Sequence, residues 1–144
     1  MTSEVKDALR LQLTRHEGRR KRPYKDTVGK ITVGVGRNID DVEFSDDEID
    51  LMLDNDIKRA IGGCVVAFPW FEGMDAIRQR AIIDLVFNMG IAGFQKFTNT
   101  IRFLEQCDYD AAADNLMMSR WFGQVGSRGP RIVHMVRLGT VPPE

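Results

Sequence analysis

Pro23-Tyr24-Lys25-Asp26-Thr27-Val28-Gly29-Lys30-Ile31-Thr32-Val33-Gly34-Val35-Gly36 is the stretch on which the fold turns. It mixes glycines with β-branched residues and has Val28-Gly29-Lys30 as a turn, so it predicts a small antiparallel hairpin or three-stranded sheet. No other stretch reads convincingly as strand. On its N-terminal side, residues 3–17 carry Val5, Ala8, Leu9 and Leu13 on one helical face, and Gly18 is placed to end that helix near Glu17.

Beyond the sheet the pattern is helical. Ser45-Asp46-Asp47-Glu48 is a capping box: Ser45 can cap the third helical amide while Glu48 reaches back. Its acids also favour the positive end of the helix dipole. That helix is predicted to run through Ile49, Leu51, Met52, Leu53, Ile57 and Ala60 and to stop at Gly62-Gly63. After Pro69-Trp70 a second strong helix carries Met74, Ile77, Ala81, Ile82, Leu85, Val86 and Met89, with Gly90 ending it. Further helices are expected at 98–106, 109–119 and 130–138, the last with Pro130 near its first position. The fold class is therefore α+β and mostly helical, a small sheet lobe and a larger helical lobe with a cleft where they meet. Such clefts bind ligands.

Composition narrows the function. The 144 residues include 43% apolar and 28% charged residues, values of a globular chain, and no apolar run approaches a membrane span. The N-terminal stretch carries a charge every few residues and no apolar core, unlike a signal peptide. Cys64 and Cys107 cannot build a disulfide framework and read as two buried or half-buried thiols. No metal is expected: His16-Glu17 begins like a zinc motif, but Arg20 stands where the second histidine belongs, and His134 is alone. No cofactor-binding motif is present either. Gly34-Val35-Gly36 lacks the third glycine and following helix of a phosphate loop, and Val125-Gly126-Ser127-Arg128-Gly129 lacks the first glycine and preceding strand of a nucleophile elbow.

The net charge of -1 hides a strong asymmetry. Residues 1–37 hold ten Lys/Arg against four Asp/Glu, whereas residues 38–56 hold nine acids and no base. Basic ends around an acidic middle suit a polyanionic partner. Nucleic acid is not expected, because no DNA-binding motif accompanies Arg15, Arg19, Arg20, Lys21 and Arg22 and the acidic stretch repels phosphate. The aromatic residues read as core, with Trp121-Phe122 the best candidates for a cleft wall.

Two carboxylates stand apart in context. Glu17 lies at the C-terminal end of a helix, where the dipole opposes its ionisation, and Asp26 lies in the loop entering the hairpin. Thr32 follows in the returning strand. A helix end, a turn and a strand can bring these three to one point. Glycosidic bond cleavage uses such a set: one acid to protonate the leaving oxygen, a second carboxylate to activate water or attack. The same spacing also suits a surface acid and an Asx-turn former.

Thr14-Arg15-His16-Glu17-Gly18, Tyr24-Lys25-Asp26 and Ile31-Thr32-Val33-Gly34-Val35-Gly36 closely resemble the front end of the phage-type lysozymes, glycoside hydrolase family 24. The Glu, eight residues, Asp, five residues, Thr spacing matches without a gap. Similarity continues through Ala81-Ile82-Ile83-Asp84-Leu85-Val86-Phe87-Asn88-Met89-Gly90, Phe97-Thr98-Asn99-Thr100, Ala111–Leu116, Ser119-Arg120-Trp121-Phe122 and the arginine-rich end. The resemblance implies hydrolysis of the β-1,4 bond between N-acetylmuramic acid and N-acetylglucosamine in peptidoglycan, for host lysis. Glu17 is then the general acid, Asp26 the second carboxylate and Thr32 the residue that positions water. Members invert the anomeric centre, which implies carboxyl groups roughly 6.5–9.5 Å apart with water between them. A lytic transglycosylase acting on the same bond is the alternative.

The resemblance also assigns substrate binding to Gly36, Asn38, Phe87, Thr100, Asn115 and Arg128, the last also pairing with the catalytic Glu. It implies one catalytic domain over residues 1–144, with a small lobe about 14–58 and a helical lobe about 59–144 that takes in the N-terminal helix. The partners implied are glycan strands, with no membrane insertion, a monomeric enzyme, and a separate holin-type protein for release from the host cytoplasm. The sequence departs from the family in three places: the loop between Asn38 and Phe44 is short where the best-known member has a long insertion, Arg37 replaces a frequent His, and Asn38 brings a different side chain.

Overall fold

The computed structural model describes all 144 residues and contains seven helices and one three-stranded sheet. The chain forms two compact units, Met1–Leu51 and Met52–Glu144. The mostly helical α+β lysozyme-like class expected from the sequence is what the chain adopts. No helix is long and apolar enough to cross a membrane.

The first unit begins with α1 (Ser3–Glu17), capped by the Thr2 hydroxyl accepting from the Val5 amide. Gly18, at φ 77°, ends it while its N–H bonds Thr14 O. The sheet follows: β1 (Arg20–Lys25), β2 (Ile31–Gly34) and β3 (Arg37–Asn38), antiparallel and in chain order. Tyr24 pairs Thr32 and Lys25 pairs Ile31, but the register shifts between Arg20 and Tyr24. Pro23 lies inside that shift, on an edge strand, where a missing N–H costs no ladder bond. The turn between β1 and β2 closes through Asp26 N–H to Lys30 O at 2.9 Å, with Gly29 at φ +84°, a conformation only glycine takes freely.

The capping box forms as expected. Ser45 N–H donates to Glu48 Oε1 at 2.9 Å and Glu48 N–H to Ser45 Oγ at 3.2 Å, opening α2 (Asp46–Ala67). The expected stop at Gly62-Gly63 does not occur. The helix continues because Ala60 and Cys64 turn into the core, and because Gly63 lets Ile91 approach: a Cβ there would meet the Ile91 side chain at 3.4 Å. Packing outweighs the helix penalty of glycine, about 1 kcal/mol per residue.

The second unit is built on α3 (Ala76–Gln95), α4 (Thr98–Glu105), α5 (Tyr109–Met117), α6 (Arg120–Gln124) and α7 (Arg128–Leu138). Gly90 (φ 78°, ψ 159°) breaks α3 where the sequence expected an end, yet the helix resumes to Gln95. The buried stripe Ala81, Ile82, Leu85 and Val86 faces Phe94, Leu104, Leu116 and Val136. Phe68 meets Phe94 edge-on at 5.6 Å. Two expectations need correction here. Pro130 is the third residue of α7, which starts at Arg128, and Trp121 belongs to the core, its indole N–H bonded to Asn88 Oδ1 at 3.1 Å, so it forms no cleft wall. Helix α6, too short for a periodic pattern, has no counterpart in the sequence reading.

Arg78 ties this unit together. Its Nε donates to Val136 O at 2.6 Å and Nη2 to Arg137 O at 2.9 Å, satisfying carbonyls at the end of α7, while Nη1 pairs with Asp75 at 3.0 Å. The guanidinium lies 3.7 Å from the Tyr109 ring centroid. Of the two cysteines, Cys64 is buried and Cys107 exposed, so only one is the buried thiol that was expected.

Candidate active site

Glu17 is the last residue of α1, and its exposed side chain meets the tip of the β2–β3 turn. A Cβ built on Gly36 would fall 2.8 Å from Glu17 Oε2 and 2.9 Å from Cδ. The positive φ of +67° there favours glycine, and any side chain would have to displace the Glu17 carboxylate.

Asp26 is held by its own turn. Its Oδ1 accepts from Lys30 N–H at 2.8 Å and Val28 N–H at 3.0 Å, which leaves Oδ2 outside the turn's hydrogen bonds. It forms the Asx turn that was one of the two readings offered by the sequence, and it still presents a carboxylate oxygen. Thr32 stands opposite Tyr24, two residues before Asp26, so alternation along the hairpin sets Asp26 and Thr32 as diagonal neighbours on one face. Thr32 is only 4% exposed, and its hydroxyl donates to Lys30 O at 3.1 Å, beside the peptide whose N–H holds Asp26. Glu17 thus shares a contact with the sheet through Gly36, and Asp26 and Thr32 share a face of it.

Asn38 is occupied by the short loop. Its amide oxygen accepts from Asp40 N–H (3.0 Å) and Asp41 N–H (3.1 Å), and its Nδ2 donates to Asp41 at 2.9 Å. Asp40 in turn accepts from Ile31 N–H at 2.8 Å, and Lys30 pairs with Asp41 at 3.3 Å. These bonds close in seven residues a loop that needs no insertion.

The sequence reading missed the partner of Arg37, which forms an ion pair with Glu48 at 2.5 Å. The pair holds Glu48 at about 2, below the usual carboxylate range, first through the hydrogen bond from Arg37 and then through the Ser45 amide. The capping box marked Glu48, but nothing in the spacing linked it to a strand residue. Around these groups Arg15, Arg19, Arg20, Lys21, Arg22 and Lys25 are exposed and take part in no ion pair within this unit, with Arg20 lying 5.2 Å over the Tyr24 ring.

The other expected contacts lie in the second unit. Phe87 is 44% exposed and lines an open groove of about 970 Å³ between α2 and α3, together with Leu53, Ile57, Ile61, Phe71 and Ile83. Arg128 reaches the same groove, where its Nε donates to Asp84 Oδ1 at 2.6 Å. Thr100 is wholly buried and donates to Asn115 Oδ1 at 2.5 Å, so it orients Asn115 rather than meeting solvent itself.

Similarity to known proteins extends over most of the chain. The family model described as phage lysozyme matches residues 14–134. "Probable T4-type lysozyme 1" of Dictyostelium discoideum is 24% identical over 170 aligned residues, covering 98% of each chain. The "SAR-endolysin" of Escherichia phage Mu is 31% identical over 111 residues, covering 74% of this chain and 61% of its own. The "Pre-baseplate central spike protein Gp5" of Enterobacteria phage T4 is 24% identical over 157 residues, 90% of this chain but 27% of that one. With a match from the last turn of α1 to the middle of α7, this chain belongs to the phage lysozyme family.

Proposed function

We propose that this lysozyme-type enzyme of peptidoglycan is an inverting muramidase, cleaving the β-1,4 bond between N-acetylmuramic acid and N-acetylglucosamine. Glu17 protonates the leaving glycosidic oxygen, Asp26 takes a proton from the attacking water, and Thr32 helps hold that water in line. Inversion requires one displacement from the face opposite the leaving group, so the water stands between the sugar and Asp26. The observation that carries the reading is the state of the two carboxylates. Asp26 is oriented through one oxygen and keeps the other free, while Glu17 rests against Gly36, where a side chain would displace it. Phe87 and Asn115 are assigned to the glycan, with Thr100 orienting Asn115. Gly36 supports Glu17. The enzyme acts as a monomer on glycan strands and reaches the wall from the host cytoplasm once a separate holin-type protein has opened the membrane.

Digestion of purified peptidoglycan tests this. Glu17→Gln should lose about 10²–10⁴ in rate, the range for a general acid, and Asp26→Asn should fall comparably. Products should carry a reducing end of inverted anomeric configuration. A non-reducing anhydro product would establish a transglycosylase in its place, and cleavage unchanged in both variants would remove the catalytic assignment altogether.

A further inference from the structure

Strand β3 is two residues long and pairs with β2 at Thr32–Asn38 and Val33–Arg37, extended past its end by Ile39 N–H to Ile31 O at 2.9 Å, so the 34–36 turn is held by a short ladder. Gly36, which abuts Glu17, belongs to that turn. The next residue, Arg37, is fastened elsewhere. Its Nη2 meets Glu48 Oε2 at 2.5 Å, while Glu48 Oε1 accepts from the Ser45 amide to close the capping box. One carboxylate therefore joins the strand behind Gly36 to the first turn of a 22-residue helix. The guanidinium carbon also lies 5.7 Å over the Phe44 ring. Nη1 is buried with no hydrogen-bond partner, a cost borne only where the side chain is held in one place. The other ion pair of this unit, Lys30–Asp41, joins two exposed turns and reaches no helix.

We propose that Arg37 and Glu48 are positioning residues for the reaction: their pair fixes the depth at which the 34–36 turn stands against the Glu17 carboxyl. The proposal rests on the reading of Glu17 as the acid. Loss of the pair frees β3, the turn shifts, and Glu17 loses the surface it leans on. Substrate binding elsewhere is untouched, so the turnover step suffers and binding does not.

The test uses the full chain with soluble peptidoglycan fragments, assayed well below the lowest melting temperature of the set. Arg37→Ala and Glu48→Gln should each lower kcat about tenfold, as misplacement of a reacting group by a fraction of an ångström does, with KM nearly unchanged. Glu48→Gln keeps the capping-box acceptor and folds if Arg37→Ala does not. The double variant should be no slower than the slower single, since both remove one contact. Arg37→Lys, which keeps the charge but loses the planar stack, should recover part of the rate. Ser45→Ala is the control: it weakens the cap and lowers Tm but leaves Arg37–Glu48 intact, so its kcat should stay at the wild-type level. If kcat of Arg37→Ala and Glu48→Gln is unchanged, or if Ser45→Ala loses as much kcat at an equal fall in Tm, the pair is merely stabilising and the proposal fails. A Glu17→Gln variant of full activity would overturn the acid assignment and this proposal with it. An inactive Glu17→Gln beside an undiminished Arg37→Ala overturns this proposal alone.

Discussion

The carboxylate of Glu17 fills the place where a side chain on Gly36 would begin, Oε2 lying 2.8 Å from that position. Gly36→Ala therefore meets two obstacles at once. The φ of +67° costs about 1 kcal/mol for an L residue, and the added methyl displaces the carboxylate. The expected outcome is a modest fall in Tm with a loss of kcat on the order of tenfold or more. Gly29→Ala, at φ +84° but with open space around it, should show a fall in Tm without the loss in kcat. Steady-state kinetics beside thermal melts separate the two, and equal kcat in both variants would contradict the contact's role.

Acid stability should report on Glu48. Arg37 and then the Ser45 amide hold its carboxyl at about 2, below its unfolded value near 4.5. A depressed folded pKa stabilises the protein above the unfolded pKa, and this contribution disappears as pH falls from about 4.5 towards 2. Melting temperature plotted against pH should therefore drop less steeply over that window in Glu48→Gln than in the wild type. Parallel curves would show that the pair does not govern acid stability.

The two thiols should differ sharply. Burial pushes the Cys64 thiol up to about 11, and reagent cannot reach it, whereas Cys107 is exposed. Titration with an aromatic disulfide at pH 8 should find one fast thiol in the native protein and two in denaturant. Cys107→Ser should abolish the fast reaction, and two fast thiols in the native state would contradict the burial of Cys64.

Arg78 should matter to stability and not to turnover. Its three hydrogen-bonding nitrogens hold the end of α7 and the N-cap Asp75, and its plane covers Tyr109. Removal to alanine leaves carbonyls unpaired at the helix end, at about 3 kcal/mol by the usual cost of losing buried charged hydrogen bonds. Arg78→Lys should recover little, because one ammonium cannot span three acceptors. Urea denaturation measures both, and a change under about 1 kcal/mol in Arg78→Ala would refute the assignment.

What could be read in the sequence was local. The turn at Gly29, the C-cap at Gly18 and the Ser45–Glu48 box are each set by residues within a few positions of one another, and each formed as expected. What escaped depended on distant neighbours. Gly62-Gly63 looked like a helix end until Ile91 was seen to pack against Gly63. Trp121 looked like a wall until Asn88 was found to take its N–H. The candidate site divides in the same way. Glu17, Asp26 and Thr32 could be singled out because their order and spacing resemble those of the phage-type lysozymes, while Arg37 found its partner eleven residues away across a loop.

The two oxygens of Asp26 have separate occupations, and this restricts what can stand at that position. Asparagine could still brace the backbone yet would be chemically mute, whereas glutamate would keep the charge but carry it a methylene too far and abandon both amides. If Asp26 is the base proposed above, folding of the hairpin and readiness for reaction are written into a single short side chain. On the proposed reading of Asp26 as the base, a molecule that has closed this bend has, by the same act, aimed it.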